Sequence, residues 1–229
     1  MLILAFETSA KAASVALHDG TKLLGESYQN TGLTHSQTLL VMAQDLLQQC
    51  GLAPGDVTHV AVAAGPGSFT GVRIGVAAAK GFAWGNQLPL YGVSTLEAMA
   101  SNMGVYEGLV CPCMDARRSQ VYNALFRAEK GQLHRLCEDR AIAMEDLKRE
   151  LEGTVYLVGD GAALAYRTLG MENLVLPPEH LQHQRAAGVA LVAAAQIAAG
   201  VAADAEALQP NYLRLSQAER EKQEREKKQ

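Results

Sequence analysis

No two cysteines in this sequence stand at C-x-x-C spacing, and only four are present: Cys50, Cys111, Cys113 and Cys137. Cys111 and Cys113 would share one face of a strand, too near each other for an easy disulfide, so a reducing, cytoplasmic compartment is expected. Aromatic residues are scarce (5%) and alanine is abundant, which points to helices packed closely through small side chains. A positive charge excess is also missing. With a net charge of −4, binding to nucleic acid by bulk electrostatics is excluded. No apolar run is long enough to span a bilayer; the closest, 188–203, is interrupted by Gln196 and Gly200. The N-terminus, Met1-Leu2-Ile3-Leu4-Ala5-Phe6, lacks a basic region and runs straight into Glu7, so it reads as a first strand and not as a signal peptide. The six histidines form no H-E-x-x-H, and no three protein ligands for a catalytic metal can be assembled from them. Ser68 sits in Gly67-Ser68-Phe69, which is not a G-x-S-x-G nucleophile elbow. No metal site is therefore expected.

Hydrophobic residues make up 48% of the chain, ample for a core in one large domain or two small lobes. The sequence is organised around Gly65-Pro66-Gly67-Ser68-Phe69-Thr70-Gly71. A short apolar run, 59–64, enters it, and a long apolar segment of helical length leaves it. A strand, a glycine-rich turn and a helix N-terminus in that order offer unpaired N–H groups and the positive end of a helix dipole. The first turn carries Arg73 and no carboxylate, the wrong charge for the helix alone, which makes sense if an anion supplies the negative charge. The loop is neither of the two commonest nucleotide motifs. A P-loop needs Lys-Ser/Thr where Val72-Arg73 stand, and a dinucleotide fingerprint needs glycine where Thr70 stands.

Taken in order, 2–7, 14–18 and 21–28 read as strands, with Asp19-Gly20 as a hairpin turn. A helix follows over 36–50, its wide apolar stripe formed by Leu39, Leu40, Ala43, Leu46, Leu47 and Cys50 and widened by Met42, with Gly51 at its end. After the glycine loop and its helix come a strand at 88–93 and a short helix capped by Ser94. The second half repeats the theme: strands at 109–114, 121–127 and 132–137, a helix at 144–151, a strand at 155–158, a helix at 162–169, a short strand at 174–176 and a helix at 185–199. Each half reads β-β-β-α-β-α-β-α with a carboxylate, Glu7 or Asp115, ending its first strand. That doubled plan belongs to the actin-like ATPase, ribonuclease-H-like α/β fold. The expected units are an N-terminal lobe (1–105), a C-terminal lobe (106–215) and a charged flexible tail (216–229). In this plan the turn after the first strand grips phosphates, which makes Glu7, Thr8 and Ser9 candidates together with Gly65, Gly67, Ser68, Thr70, Gly71 and Arg73.

The glycine block with Val72-Arg73-Ile74-Gly75, Ala79-Lys80-Gly81, Gly92-Val93-Ser94-Thr95-Leu96 and the late Pro210-Asn211-Tyr212-Leu213-Arg214 closely resembles the TsaB family, formerly YeaZ. The opening Leu4-Ala5-Phe6-Glu7-Thr8-Ser9 fits too, although aspartate is commoner at the place of Glu7. The resemblance implies a bacterial cytoplasmic protein of tRNA threonylcarbamoyladenosine formation. It implies a partnership with the paralogous transferase TsaD, with TsaE as a small ATPase that binds the pair; tRNA is expected to be met indirectly, with a local patch including Arg117 and Arg118 as the alternative for direct contact. TsaD-like enzymes carry a His-x-x-x-His metal pair where this chain has Thr95 and Met99, both poor ligands for such a metal. A non-catalytic scaffold is expected, with ATP or ADP at or near the partner interface as the one cofactor to consider. The apolar helices at 36–50 and 71–85 are expected to supply that interface through Leu39, Met42, Leu46, Val72, Gly75, Val76 and Ala79, toward TsaD or, in its absence, a second copy. The alternative is a free-standing small-molecule kinase or ATPase of the actin-like superfamily. A metalloprotease is the third reading.

Overall fold

The computed structural model describes residues 1–214, so the charged tail predicted at 216–229 lies outside the described residues. The first sheet is built from β1 (Ile3–Glu7), β2 (Ala13–His18) and β3 (Leu23–Gln29), followed after α1 (His35–Gln49) by β4 (His59–Gly65). After α2 (Phe69–Gly85) comes β5 (Leu90–Ser94), and the strand order is β3-β2-β1-β4-β5. β1 pairs antiparallel with β2 and parallel with β4. The hairpin forms at Asp19, whose carboxylate accepts hydrogen bonds from the backbone N–H groups of Thr21 and Lys22. Gly51 adopts φ 69° just past α1 and ends it.

α3 (Thr95–Ser101) leads into the second sheet, which is centred on β6 (Gly108–Asp115). Its other strands are β7 (Gln120–Asn123), β8 (Phe126–Glu129), β9 (Gln132–Arg135) and β10 (Arg140–Ala143). After α4 (Met144–Lys148) follow β11 (Val155–Val158), α5 (Ala162–Leu169) and β12 (Leu174–Val175). The short α6 (Glu179–Gln182) and α7 (Ala186–Ala198) complete the described chain. The single strand predicted at 121–127 is two. β7 pairs with one end of β6 and β8 with the other, and the chain breaks step at Ala124-Leu125. The side chain of Asn123, fully buried, holds that break by donating to the carbonyls of Pro112 and Ala124. β10 was not anticipated by the sequence reading.

Strand alternation decides what covers each sheet. Leu4, Phe6, Val15, Leu17, Val60 and Val62 face α1 and α2. Ile3, Ala5, Ala16, Ala61 and Ala63 face the other way, against α7. In the second sheet Leu109, Cys111 and Cys113 face α4 and α5, while Val110 and Met114 pack on Leu96 and Met99 of α3 and on Met103 just beyond it. The strands divide by halves of the chain; the covering helices do not. α7, from the second half, closes the first sheet, and α3, from the first half, closes the second. Gly188 lets the two helices touch, because a Cβ there would run into the backbone of Ala98. Among the described residues no helix is long and apolar enough to cross a membrane.

Candidate functional site

Because α3 and α7 exchange sides, each lobe is one sheet with the helices that cover it and not simply residues 1–105 or 106–215. A cleft of about 670 Å³ opens between the two lobes. It lies where parallel strands end at their carboxyl edges, the usual place for a ligand in an open α/β sheet. One wall is Ser9, Ala10 and Lys11 after β1 with Pro66, Gly67, Ser68, Phe69 and Thr70 after β4. The other is Met114 and Asp115 at the end of β6 and Ala116 and Arg117 just after it, with Tyr122 and Asp160. Asn211, Tyr212, Leu213 and Arg214 complete the lining.

The glycine loop owes its composition to the Thr8-Ser9 turn that lies against it. The N–H of Ser68 donates to the carbonyl of Ser9 at 2.6 Å. Gly67 leaves room for that same carbonyl, which a Cβ would approach to 2.5 Å. The hydroxyl of Thr8 donates to the carbonyl of Gly71 at 2.8 Å, and a Cβ on Gly71 or Gly75 would collide with Thr8. Gly65 adopts φ 111°, and its peptide bond to Pro66 is cis. Ser68 caps α2 by accepting the Gly71 N–H at 3.3 Å.

Of the nine residues proposed for an anion, the structure brings Ser9, Gly67, Ser68 and Thr70 to the cleft. Thr8 and Gly71 are engaged with each other, and Gly65 abuts the backbone of Asn211. Arg73 is absent from the lining. Its guanidinium lies 3.8 Å from the centre of the Phe69 ring, and its Nε donates to the hydroxyl of Tyr212 at 2.7 Å. The aromatic faces and that hydroxyl give it the partners for which the sequence reading invoked an anion. Glu7 is sealed beneath the cleft floor, 1% exposed. One carboxyl oxygen accepts the Ser9 N–H at 2.5 Å and the other has no hydrogen-bond partner. Burial pushes its pKa up to about 7. The matching carboxylate of the second half, Asp115, is exposed in the cleft. The two strand ends are thus alike in topology and opposite in environment.

Lys11, Asp160 and Arg214 belong to the cleft and were not singled out from the sequence. Asp160 lies between two glycines at the end of β11, a turn signal that could have marked it. It is open to solvent but crowded by the cleft walls, which raises its pKa, and one oxygen accepts from the Gln184 amide at 2.8 Å. Thr95 and Met99 are buried between the lobes. The hydroxyl of Thr95 has no hydrogen-bond partner, and the sulfur of Met99 lies against Gly159. Among the described residues, no three His, Cys, Asp or Glu side chains cluster as a metal-binding group.

The seven side chains expected to meet a partner do not reach the surface. Leu39, Met42 and Leu46 of α1 and Val72, Gly75, Val76 and Ala79 of α2 are all buried. They pack on the first sheet, and the close backbone approach permitted by Gly71 and Gly75 is made by Thr8 of the same chain. The apolar residues that face outward are Leu40 and Val41 of α1 and Ala77 and Trp84 of α2, set among exposed Gln37, Gln44, Asp45 and Gln48 of α1 and Arg73 of α2. Trp84 is 88% exposed.

The doubled sheet with its cleft defines an actin-like α/β protein. The model of the family described as TsaD, tRNA N6-adenosine threonylcarbamoyltransferase, matches residues 29–222. A TsaB of Bacillus subtilis (strain 168) is 34% identical over 227 residues, covering 96% of each chain. One from Escherichia coli (strain K12) is 36% identical over 222 residues, covering 93% of this chain and 95% of its own. A solved Pseudomonas aeruginosa structure, titled as similar to peptidase YeaZ, superposes with a TM-score of 0.78 at 28% identity, covering 93% of this chain and 99% of its own. The chain belongs to the TsaB family of tRNA threonylcarbamoyladenosine biosynthesis proteins.

Proposed function

We propose that this chain is a non-catalytic scaffold that activates a TsaD-type transferase in forming threonylcarbamoyladenosine in tRNAs that read codons starting with A. The observation that carries the reading is the setting of Thr95 and Met99. At the two places where a paralogous transferase is expected to hold its metal, this chain has a hydroxyl and a thioether buried in the interlobe core. The sealed Glu7 supports the same reading, because the carboxyl that ends the first strand is buried and does not line the cleft. The nucleotide implied by the fold fits the donors at the cleft: Lys11, Ser68 and Thr70 would hold its phosphates, as a ligand that orders the cleft. The transferase, or a second copy in its absence, would dock on the outward faces of α1 and α2 around Leu40, Val41 and Trp84. TsaE would join the assembled pair, the setting is the bacterial cytoplasm, and tRNA would be met through the transferase.

Reconstituted synthesis with and without this chain tests the proposal. Product should fall to background when the chain is left out, and an unchanged yield would defeat the reading. Appreciable ATP hydrolysis by the chain alone with magnesium would instead favour a free-standing ATPase or kinase.

A further inference from the structure

The segment after α7 does not simply run off the surface. Leu208 packs into the core of the first lobe, and Gly92 leaves the space that its side chain fills. The N–H of Asn211 donates to the carbonyl of Ala64 at 2.6 Å. A Cβ on Gly65 would come within 2.7 Å of the Asn211 carbonyl, so the loop glycine at φ 111° also serves as the seat of this segment. The ring of Tyr212 packs on Phe69 with centroids 4.7 Å apart, and its hydroxyl accepts from Arg73. Two residues later the chain has crossed to the other lobe. One Nη of Arg214 donates to the carbonyl of Ala116 at 2.5 Å and leans toward that of Arg117 at 3.4 Å.

The turn that Arg214 grips is itself unusual. Arg117, Arg118 and Ser119 adopt φ of 61°, 54° and 57°, three successive left-handed residues with no glycine among them. The Arg117 N–H is held by the carboxylate of Asp115 at 2.7 Å, and its carbonyl also accepts from Gln120. A guanidinium on the adjacent carbonyl stabilises a conformation that these side chains disfavour.

The two halves of the chain are also joined away from the cleft, by the packing of α7 on the first sheet and by the bonds from Ser94 to Asp139 and from Arg135 to Glu97; at the cleft itself two kinds of contact join them. At the cleft floor they meet through the apolar α3 contact, in which Met114 is buried and lines the cleft. At the mouth they meet through the strap, whose Asn211 and Tyr212 are exposed and whose grip on the second lobe is polar. Apolar burial resists separation throughout a small rotation. Two hydrogen bonds at a solvent edge are lost within an ångström or so of displacement. We propose that residues 208–214 form a latch that holds the lobes closed over the cleft, with Arg214 as its catch.

Hydrogen exchange of the full chain, followed by mass spectrometry, tests this with Arg214→Ala and Arg214→Lys. In Arg214→Ala the amides of 116–121 should exchange about tenfold faster, and so should those of 9–11, which lie on the opposite wall and do not touch Arg214. Amides of β1 and β6 should keep their protection, and Arg214→Lys should recover much of the loss. Acceleration confined to 116–121 would reduce Arg214 to a local turn contact and overturn the proposal, as would no acceleration. If Arg214→Ala loses protection throughout, Tyr212→Phe decides: it keeps Arg214 but frees Arg73. The same two segments should then accelerate by a smaller factor, and wild-type exchange in both would refute the latch.

Discussion

At the scale of single residues, the pairing of Glu7 with Thr8 and Ser9 explains more than the glycine pattern does by itself. The Glu7 carboxyl has a pKa of about 7 when folded, against 4.5 for an ordinary glutamate, because burial disfavours its charged form. Between those values the folded chain holds more protons than the unfolded one, so stability falls as pH rises from about 4.5 to 7 and stays lower above. The difference corresponds to about 3 kcal/mol at pH 8. Glu7→Gln keeps an acceptor for Ser9 and removes the charge. Its urea midpoint should exceed that of the wild type at pH 8 and converge with it near pH 5; an offset that does not vary with pH would contradict the assignment. Glycines on α2 give a second contrast. Gly81 has open space around its missing Cβ, so Gly81→Ala should stabilise by roughly 0.5–1 kcal/mol through helix propensity. Gly71→Ala drives a Cβ into the backbone of Thr8, which has no side-chain freedom to yield, and should destabilise by about 3 kcal/mol. Equilibrium unfolding of the two variants should show opposite signs.

At the scale of elements, α1 and α2 show where periodicity is informative and where it stops. The apolar stripe of α1 and the nearly all-round apolar surface of α2 were legible in the sequence, as were the strands of the first sheet and the caps at Ser94 and Gly51. A stripe does not say which neighbour covers it. Leu39, Met42, Leu46 and Val76 face the chain's own sheet, whereas Leu40, Val41 and Trp84 remain outside. The proposed partner surface is therefore tested at Trp84. Trp84→Glu should leave the thermal midpoint within a few degrees and weaken TsaD binding at least about tenfold in titration calorimetry. Val76→Asp would bury a carboxylate in a site 5% exposed and should destabilise the monomer itself by about 3 kcal/mol or more, visible without any partner. The cleft was half legible for a related reason. Gly67, Ser68 and Thr70 share one short stretch, and Ser9 follows β1, the strand that pairs in parallel with β4. Asp160 and Arg214 come from distant turns that no local pattern ties to them. The division of 121–127 into β7 and β8 was hidden because it depends on β6 serving two partners at its two ends, a long-range pairing.

At the scale of the whole molecule, the doubled architecture is one of mutual cover. The duplication was visible as two runs of the same element order, but not that α3 and α7 would each serve the opposite sheet. α7 follows residue 185, and without it Ile3, Ala5, Ala16, Ala61 and Ala63 lose most of the cover on one face. A fragment of residues 1–105 should accordingly lack a cooperative thermal transition and regain one on mixing with 106–229, measured by circular dichroism. During synthesis the same arrangement imposes an order. Every strand of the first sheet has left the ribosome long before the helix that shields it, so this sheet waits, half bare and liable to pair with the wrong neighbour, until almost the whole chain has emerged.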